Sequence, residues 1–205
     1  AENLARKYDI SREAQEAFAL ESQQRAMRAA NDGSYEAEIV PIENGGGPVV
    51  ADGCPRPDTT AEALAALKPA FDAKGSVTAG TSSPLTDGAA AVLVTSADDA
   101  RRHKLTVMAR IRATAVSGCA PEIMGIGPVE AARKALRRSG LELRQMDLVE
   151  LNEALAAQSL AELGVLGLSH DKVKDRKSVG EGKSVDVGGR RSTKKKKRDA
   201  QEMDT

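Results

Sequence analysis

Residues 149–158 read V-E-L-N-E-A-L-A-A-Q. Val149 to Leu151 suit the end of a buried β-strand, and the residues after Asn152 suit a helix, so Asn152 falls at the hinge. Working outward, residues 147–151 (D-L-V-E-L) are expected as the strand, and residues 153–163 as the helix, ended by Gly164. Ahead of that strand lies a helix with Pro128 in its first turn, Glu130 early, and Lys134, Arg137 and Arg138 late. Those charges complement the helix dipole. The helix is expected to bury Val129, Ala132, Ala135 and Leu136 and to stop at Gly140. Before it, residues 107–116 (V-M-A-R-I-R-A-T-A-V) alternate in part and suit a strand. Strand, helix, strand and helix at tight junctions predict a layered α/β arrangement.

Further upstream, residues 121–128 (P-E-I-M-G-I-G-P) read as a tight loop that delivers the chain into the Pro128 helix. Residues 75–94 (G-S-V-T-A-G-T-S-S-P-L-T-D-G-A-A-A-V-L-V) are the most unusual local text. A short strand at Val77 and Thr78 gives way to a hydroxyl-rich loop with Thr81, Ser82, Ser83 and Thr86, then to an all-apolar run over residues 89–94. Such a run suits a strand or helix buried on both sides, and the small residues let a ligand approach the backbone. Ser96 or Asp98 then starts a short helix whose far end carries Arg101, Arg102, His103 and Lys104. There His103 reads as a solvated helix-terminal residue.

At the N-terminus a short helix over residues 1–8 precedes a longer one, capped by Ser11, through about Asn31. Ala14, Ala17, Phe18 and Met27 mark its weakly apolar face. Residues 38–42 suit a short strand or extended segment. Residues 43–59, with three glycines at 45–47 and prolines at 48, 55 and 57, forbid a regular element. Thr59 and Glu62 have capping-box spacing for a helix over residues 60–67, closed by Pro69.

The 205 residues, 40% hydrophobic and 29% charged, suffice for one ordinary domain or two small ones. A formal net charge of zero gives no global electrostatic reason to expect nucleic acid or an anionic membrane. Cys54 and Cys119 lie far apart without metal-ligand spacing, so neither a metal site nor a disulfide framework is indicated. No apolar run approaches the ~18 residues that cross a bilayer, and the absence of an initiator Met suggests a processed chain or a fragment.

Residues 78–94, 122–128 and 151–158 together resemble the thiolase family, the acyl-CoA C-acyltransferases, and the likeness runs from Ala1 to about Val173. The wording G-T-S-S-P-L-T-D-G-A, R-P-D-T-T, C-A-P-E-I-M-G-I-G-P and N-E-A-L-A-A-Q is most similar to degradative 3-ketoacyl-CoA thiolases of fatty-acid β-oxidation. The resemblance implies a layered αβαβα fold, incomplete here, with part of an inserted loop domain that covers coenzyme A. Residues 1–98 would then be the remainder of the N-terminal half including that loop domain, residues 104–173 the start of the C-terminal half, and residues 174–205 a tail foreign to the family.

For chemistry the resemblance implies thiolytic cleavage of 3-ketoacyl-CoA to acetyl-CoA and a shortened acyl-CoA, with coenzyme A as substrate and no cofactor. Asn152 matches the family asparagine that holds a water in an oxyanion hole. Ser83 matches the serine bonded to the pantetheine arm, with Ser82 and Thr81 beside it, and Met124 matches an apolar contact along the acyl path. Gly125 and Gly127 would shape the Met124 loop, and Glu153 would orient its neighbours. Leu155 stands where the family usually has phenylalanine. Neither cysteine has a nucleophile's context, and His170 precedes the place expected for the family's base. Two classes follow: an acyl-CoA thiolase, degradative or of the acetoacetyl-CoA type, or a catalytically inert CoA-binding or interaction fragment. The parent enzyme would be a homodimer or homotetramer, possibly with a β-oxidation multifunctional subunit. It would be cytoplasmic in a bacterium, or mitochondrial or peroxisomal in a eukaryote.

From about Lys174 the text turns polar and lysine-rich, which by composition predicts disorder. G-E-G-K-S imitates the end of a P-loop but has Lys177 where the first glycine belongs. The tail reads as a translated sequencing adapter followed by poly-A. Without further strands, the strand over residues 147–151 is expected to keep an unpaired edge or exposed face.

Overall fold

Ser11 caps the longest helix, as its position predicts. In a computed structural model that describes residues 1–169 and 173–175, α1 (Glu2–Lys7) is followed by α2 (Arg12–Asn31). The Ser11 hydroxyl accepts from Ala14 N at 3.1 Å, which satisfies one of the helix's orphan donors. The inward stripe of α2 is Gln15, Phe18, Ala19, Ser22, Ala26 and Ala29, at helical spacing. This corrects the expected face: Ala14 and Ala17 are exposed and Met27 is half-buried. Two polar residues lie on the true stripe because partners await them. Gln15 Nε2 donates to Ser76 Oγ at 2.9 Å, and Ser22 Oγ donates to Glu153 Oε2 at 2.7 Å.

The chain next folds back on itself in an exposed hairpin. β1 (Ile42–Glu43) pairs antiparallel with β2 (Pro48–Val49), so the strand expected over 38–42 begins only at its end. The segment expected to hold no regular element supplies the second strand. Gly45 and Gly47 have φ of +83° and +115°, which lets the glycine run close a turn. α3 (Ala61–Ala65) follows, capped by Thr60, whose hydroxyl accepts from Ala63 N at 3.1 Å. Thr59, one residue early for that role, donates its hydroxyl to Arg56 O at 3.0 Å instead.

Val77 and Thr78 are buried, and Thr78 bridges Pro69. Beyond Ser83 the expectation of a buried element fails. Residues 84–96 have no regular structure, and Leu85 and Val92 are 103% and 87% exposed. Residues 107–116 are likewise irregular, with Val107, Met108, Ile111 and Val116 exposed. A strand needs a hydrogen-bonded neighbour, and among the described residues neither segment has one. Between them lies α4 (Ala97–Arg102), capped by Ser96 and closed at an exposed His103.

A 3-10 turn over Pro121–Ile126 leads into α5 (Gly127–Ser139), which ends at Gly140 with φ +69°. Lys134 Nζ and Arg138 Nη1 donate to Val116 O and Thr114 O at 3.4 and 2.6 Å, holding the irregular segment beside α5. Because that segment is not a covering strand, only Val129 of α5 is buried, while Ala132, Ala135 and Leu136 are half-buried. β3 (Val149–Leu151) then precedes α6 (Ala156–Leu166), and β4 (Val173–Asp175) returns parallel to β3 in the register Val149↔Val173. One edge of β3 is therefore paired with β4, while its other edge has no strand partner among the described residues, as expected. Gly164 lies inside α6, which closes at Gly167 with φ +65°. His170, the G-E-G-K-S stretch and the lysine run lie outside the described residues.

α6 is the axis of the core. On one side Ala156 and Leu163 pack with Phe18 of α2, joined by Val149, Leu151, Leu160 and Leu168. On another Ala157 packs with Ala5 of α1 and Val77, joined by Ala1, Ile10 and Leu155. Burying these side chains is the main favourable term, at about 25 cal/mol per Å² of apolar surface.

Candidate functional site

The helix expected at Glu153 starts three residues late, and this shapes the site. Leu155 is the N-cap residue of α6, in extended conformation with φ −147° and ψ 136°. Its side chain joins the Ala5, Val77 and Ala157 cluster, so an apolar contact, not a polar cap, sets where the helix begins. Asn152 is consequently no N-cap. It sits between β3 and α6 on a short irregular link where Ala154 N donates to Asn152 O at 3.0 Å. Its side chain is exposed, and among the described residues no hydrogen bond engages its amide.

Two separate contacts grip this link. Ser83 N donates to Ala154 O at 2.9 Å, and Ser82 forms an antiparallel bridge with Leu155. From α2, the buried Ser22 hydroxyl holds Glu153 Oε2. The serine loop is itself fixed at its base. Thr78 N donates to Thr81 Oγ1 at 2.9 Å, and Ser82 Oγ donates to Thr78 O at 2.8 Å. Thr81 is buried and Ser82 half-buried, so their hydroxyls serve the turn. The Ser83 hydroxyl is exposed and, among the described residues, without a hydrogen-bond partner.

Met124 joins the group through its neighbour. A Cβ on Gly125 would stand 2.9 Å from both Gln158 Cγ and Leu4 Cδ1, so only glycine lets this turn press against α6 and α1. Asn3 Nδ2 donates to Glu122 O at 2.9 Å and fastens the same turn. Met124 presents an exposed side chain, while its carbonyl accepts from Cys119 Sγ at 3.5 Å. The structure therefore brings Ser82 and Ser83 onto the Asn152 link directly, and sets the Met124 turn against the first turn of α6.

Sequence reasoning missed Ser22 and Glu162. Glu162 is fully buried; Gln158 Nε2 donates to its Oε1 at 3.1 Å. Among the described residues, its Oε2 and the neighbouring Ser159 Oγ are buried without partners. Burial pushes the Glu162 carboxyl from 4.5 up to about 7, against the opposing effect of the Gln158 bond. Gln158 and Glu162 have the i,i+4 spacing of an ordinary surface pair, so spacing gave no sign of burial. Ser22 carried a signal only in hindsight, as one of the polar residues in register with Phe18 and Ala26.

Among the described residues neither Cys54 nor Cys119 forms a disulfide, and no group of three His, Cys, Asp or Glu side chains could hold a metal. A cleft of about 370 Å³ opens between the last turns of α2 and the Arg56–Thr59 turn, but Ser82, Ser83, Met124 and Asn152 do not line it. Among the described residues, no helix is long and apolar enough to cross a membrane.

The segments that meet here, 78–83, 121–127 and 151–158, overlap the stretches 78–94, 122–128 and 151–158 that carried the resemblance. Family models for the thiolase N-terminal domain and the thiolase C-terminal domain match residues 1–98 and 105–190. The chain belongs to the thiolase family. This thiolase chain is 52% identical over 182 residues to a 3-ketoacyl-CoA thiolase of Aliivibrio fischeri, covering 84% of this chain and 47% of that one. It is 55% identical over 166 residues to an acetyl-CoA acetyltransferase of Pseudomonas aeruginosa, covering 78% and 42%. The crystal structure of human mitochondrial 3-ketoacyl-CoA thiolase in complex with CoA superimposes with a TM-score of 0.82 at 44% identity, covering 92% of this chain and 48% of that one. The α/β fold is thus thiolase-like, and the thiolase chain spans about half the length of these relatives.

Proposed function

We propose that this chain carries the acyl-CoA-binding face and one oxyanion element of an acyl-CoA C-acyltransferase. The reaction cleaves the Cα–Cβ bond of a 3-ketoacyl-CoA, releases acetyl-CoA and passes the shortened acyl group to a second coenzyme A. The carrying observation is the exposed Asn152 amide, without a hydrogen-bond partner among the described residues and set beside the Ser82–Ser83 backbone by the Ser83 N to Ala154 O bond.

Asn152 holds a water against the thioester oxygen. A neutral donor fixed there meets negative charge as it develops and requires no reorganisation. The exposed Ser83 hydroxyl bonds the pantetheine arm, and the Met124 side chain covers the apolar path. Ser82 acts through its backbone, holding the loop to Leu155. The likeness to 3-ketoacyl-CoA thiolases supports the degradative direction, and the Pseudomonas relative supports the acetoacetyl-CoA alternative.

Titration calorimetry of the purified chain with coenzyme A tests the reading. Ser83→Ala is expected to weaken binding roughly fivefold, one ordinary hydrogen bond. A folded chain that shows no coenzyme A binding refutes the proposal. A second reading, a CoA-binding module without turnover, is favoured by the thiols: Cys119 is engaged with Met124 O, and Cys54 lies in the 43–59 excursion. Thiolysis of acetoacetyl-CoA above a denatured control would exclude that second reading.

A further inference from the structure

The Asn152 side chain can aim a water only if its backbone is fixed, and β3 fixes it on one side alone. On the other side the chain runs irregularly to Leu155 before helical hydrogen bonds begin. Backbone bonds from Ser82 and Ser83 act on residues 154 and 155, and Ala154 N donates to Asn152 O at 3.0 Å; these bonds hold backbone and leave the Glu153 side chain to other partners. From α2, Ser22, 4% exposed on the inward stripe, reaches the Glu153 side chain through a 2.7 Å bond across 131 residues of sequence.

From this geometry we infer that Ser22 is a positioning residue for the acyl-transfer site: by holding the Glu153 carboxylate it fixes the backbone orientation of Asn152. The inference rests on the proposed role of Asn152. A hydroxyl suits the task because it is short and its rotation is limited inside a packed stripe, so Glu153 is held at one distance from the α2 axis. Phe18 and Ala26, one turn either way on the same stripe, are buried, so α2 itself has little freedom to shift.

The test uses the full chain with acetyl-CoA carrying 13C at the thioester carbonyl, at saturating concentration. Hydrogen bonding to the carbonyl oxygen moves its resonance downfield. The wild type is expected to show a downfield-shifted bound resonance and Asn152→Ala one near the free position. Ser22→Ala should lose at least half of the shift, while Ser22→Thr and Glu153→Gln, which keep a donor or an acceptor in place, should retain it. A purely structural role for Ser22 would lower thermal stability and occupancy but leave the bound resonance where it is. Should Ser22→Ala not fold, Glu153→Ala is read in its place, with the same expected loss. A wild-type shift in the folded Ser22→Ala or Glu153→Ala chain overturns the inference while leaving the Asn152 reading intact. A wild-type shift in Asn152→Ala overturns that reading, and the inference with it.

Discussion

Glu162 gives the chain a pH-dependent stability that can be worked from its surroundings. Burial raises its carboxyl from 4.5 to about 7, so the folded state holds the proton more tightly than the unfolded chain does. Stability is therefore full below about pH 4.5, falls as pH rises through the window to about 7, and levels off above it. At about 1.4 kcal/mol per pH unit the loss across the window is on the order of 3 kcal/mol, a large share of a typical margin of about 5–15 kcal/mol. Replacing Glu162 with Gln removes the titration and keeps a group that Gln158 can still bond. Urea unfolding at pH 5, 6, 7 and 8 should show a midpoint that declines with pH in the wild type and stays nearly level in E162Q, apart from slopes common to both. The variant should be more stable at pH 8 by roughly 1–3 kcal/mol, the lower figure allowing for a buried amide whose second group is unpaired. Equal pH slopes in the two proteins would refute the reasoning and place Glu162 in contact with water.

Phe18→Ala should cost roughly 3–4 kcal/mol, seen in the same unfolding curves, because it empties the space between α2 and α6 that Ala156 and Leu163 close. Gly125→Ala should lower stability by about 1–3 kcal/mol in a thermal melt, since its Cβ would meet Gln158 and Leu4 at 2.9 Å. Ser11→Ala should cost about 1 kcal/mol and Ser11→Asp almost nothing, as measured by chemical denaturation, because either oxygen can cap Ala14 N. Leu93→Gln, at an exposed irregular position, should change stability by less than about 0.5 kcal/mol; a loss above about 1 kcal/mol would show that residues 84–96 are packed after all.

The features legible in the sequence are those whose cause is local. Ser11 and Gly140 mark helix ends because a cap needs one hydroxyl or one left-handed residue, and both are visible at a single position. The buried strand or helix expected over residues 89–94 and the strand expected over 107–116 are absent, because apolar character says that a segment wants a neighbour and not that one is present. Asn152 shows both cases. Its place after a strand could be read, but the start of the following helix could not, since Leu155 starts α6 through packing on Ala5 and Val77. Glu162 and Gln15 eluded reading for a further reason: each is polar and buried, and partners such as Gln158 and Ser76 become visible only once the helices are placed.

The bond from Ser22 to Glu153 also bears on how the molecule is made. Its two ends are 131 residues apart, and at roughly 5–20 residues per second a ribosome needs roughly 7–26 s to travel between them. For that interval the inward faces of α1 and α2 exist without the helix they are shaped to fit, and contacts of such long sequence separation are the slow ones to form. A chaperone that masks Phe18 until α6 emerges would have its greatest effect in this interval, and its removal should lower the yield of soluble chain more than it lowers the stability of chain already folded.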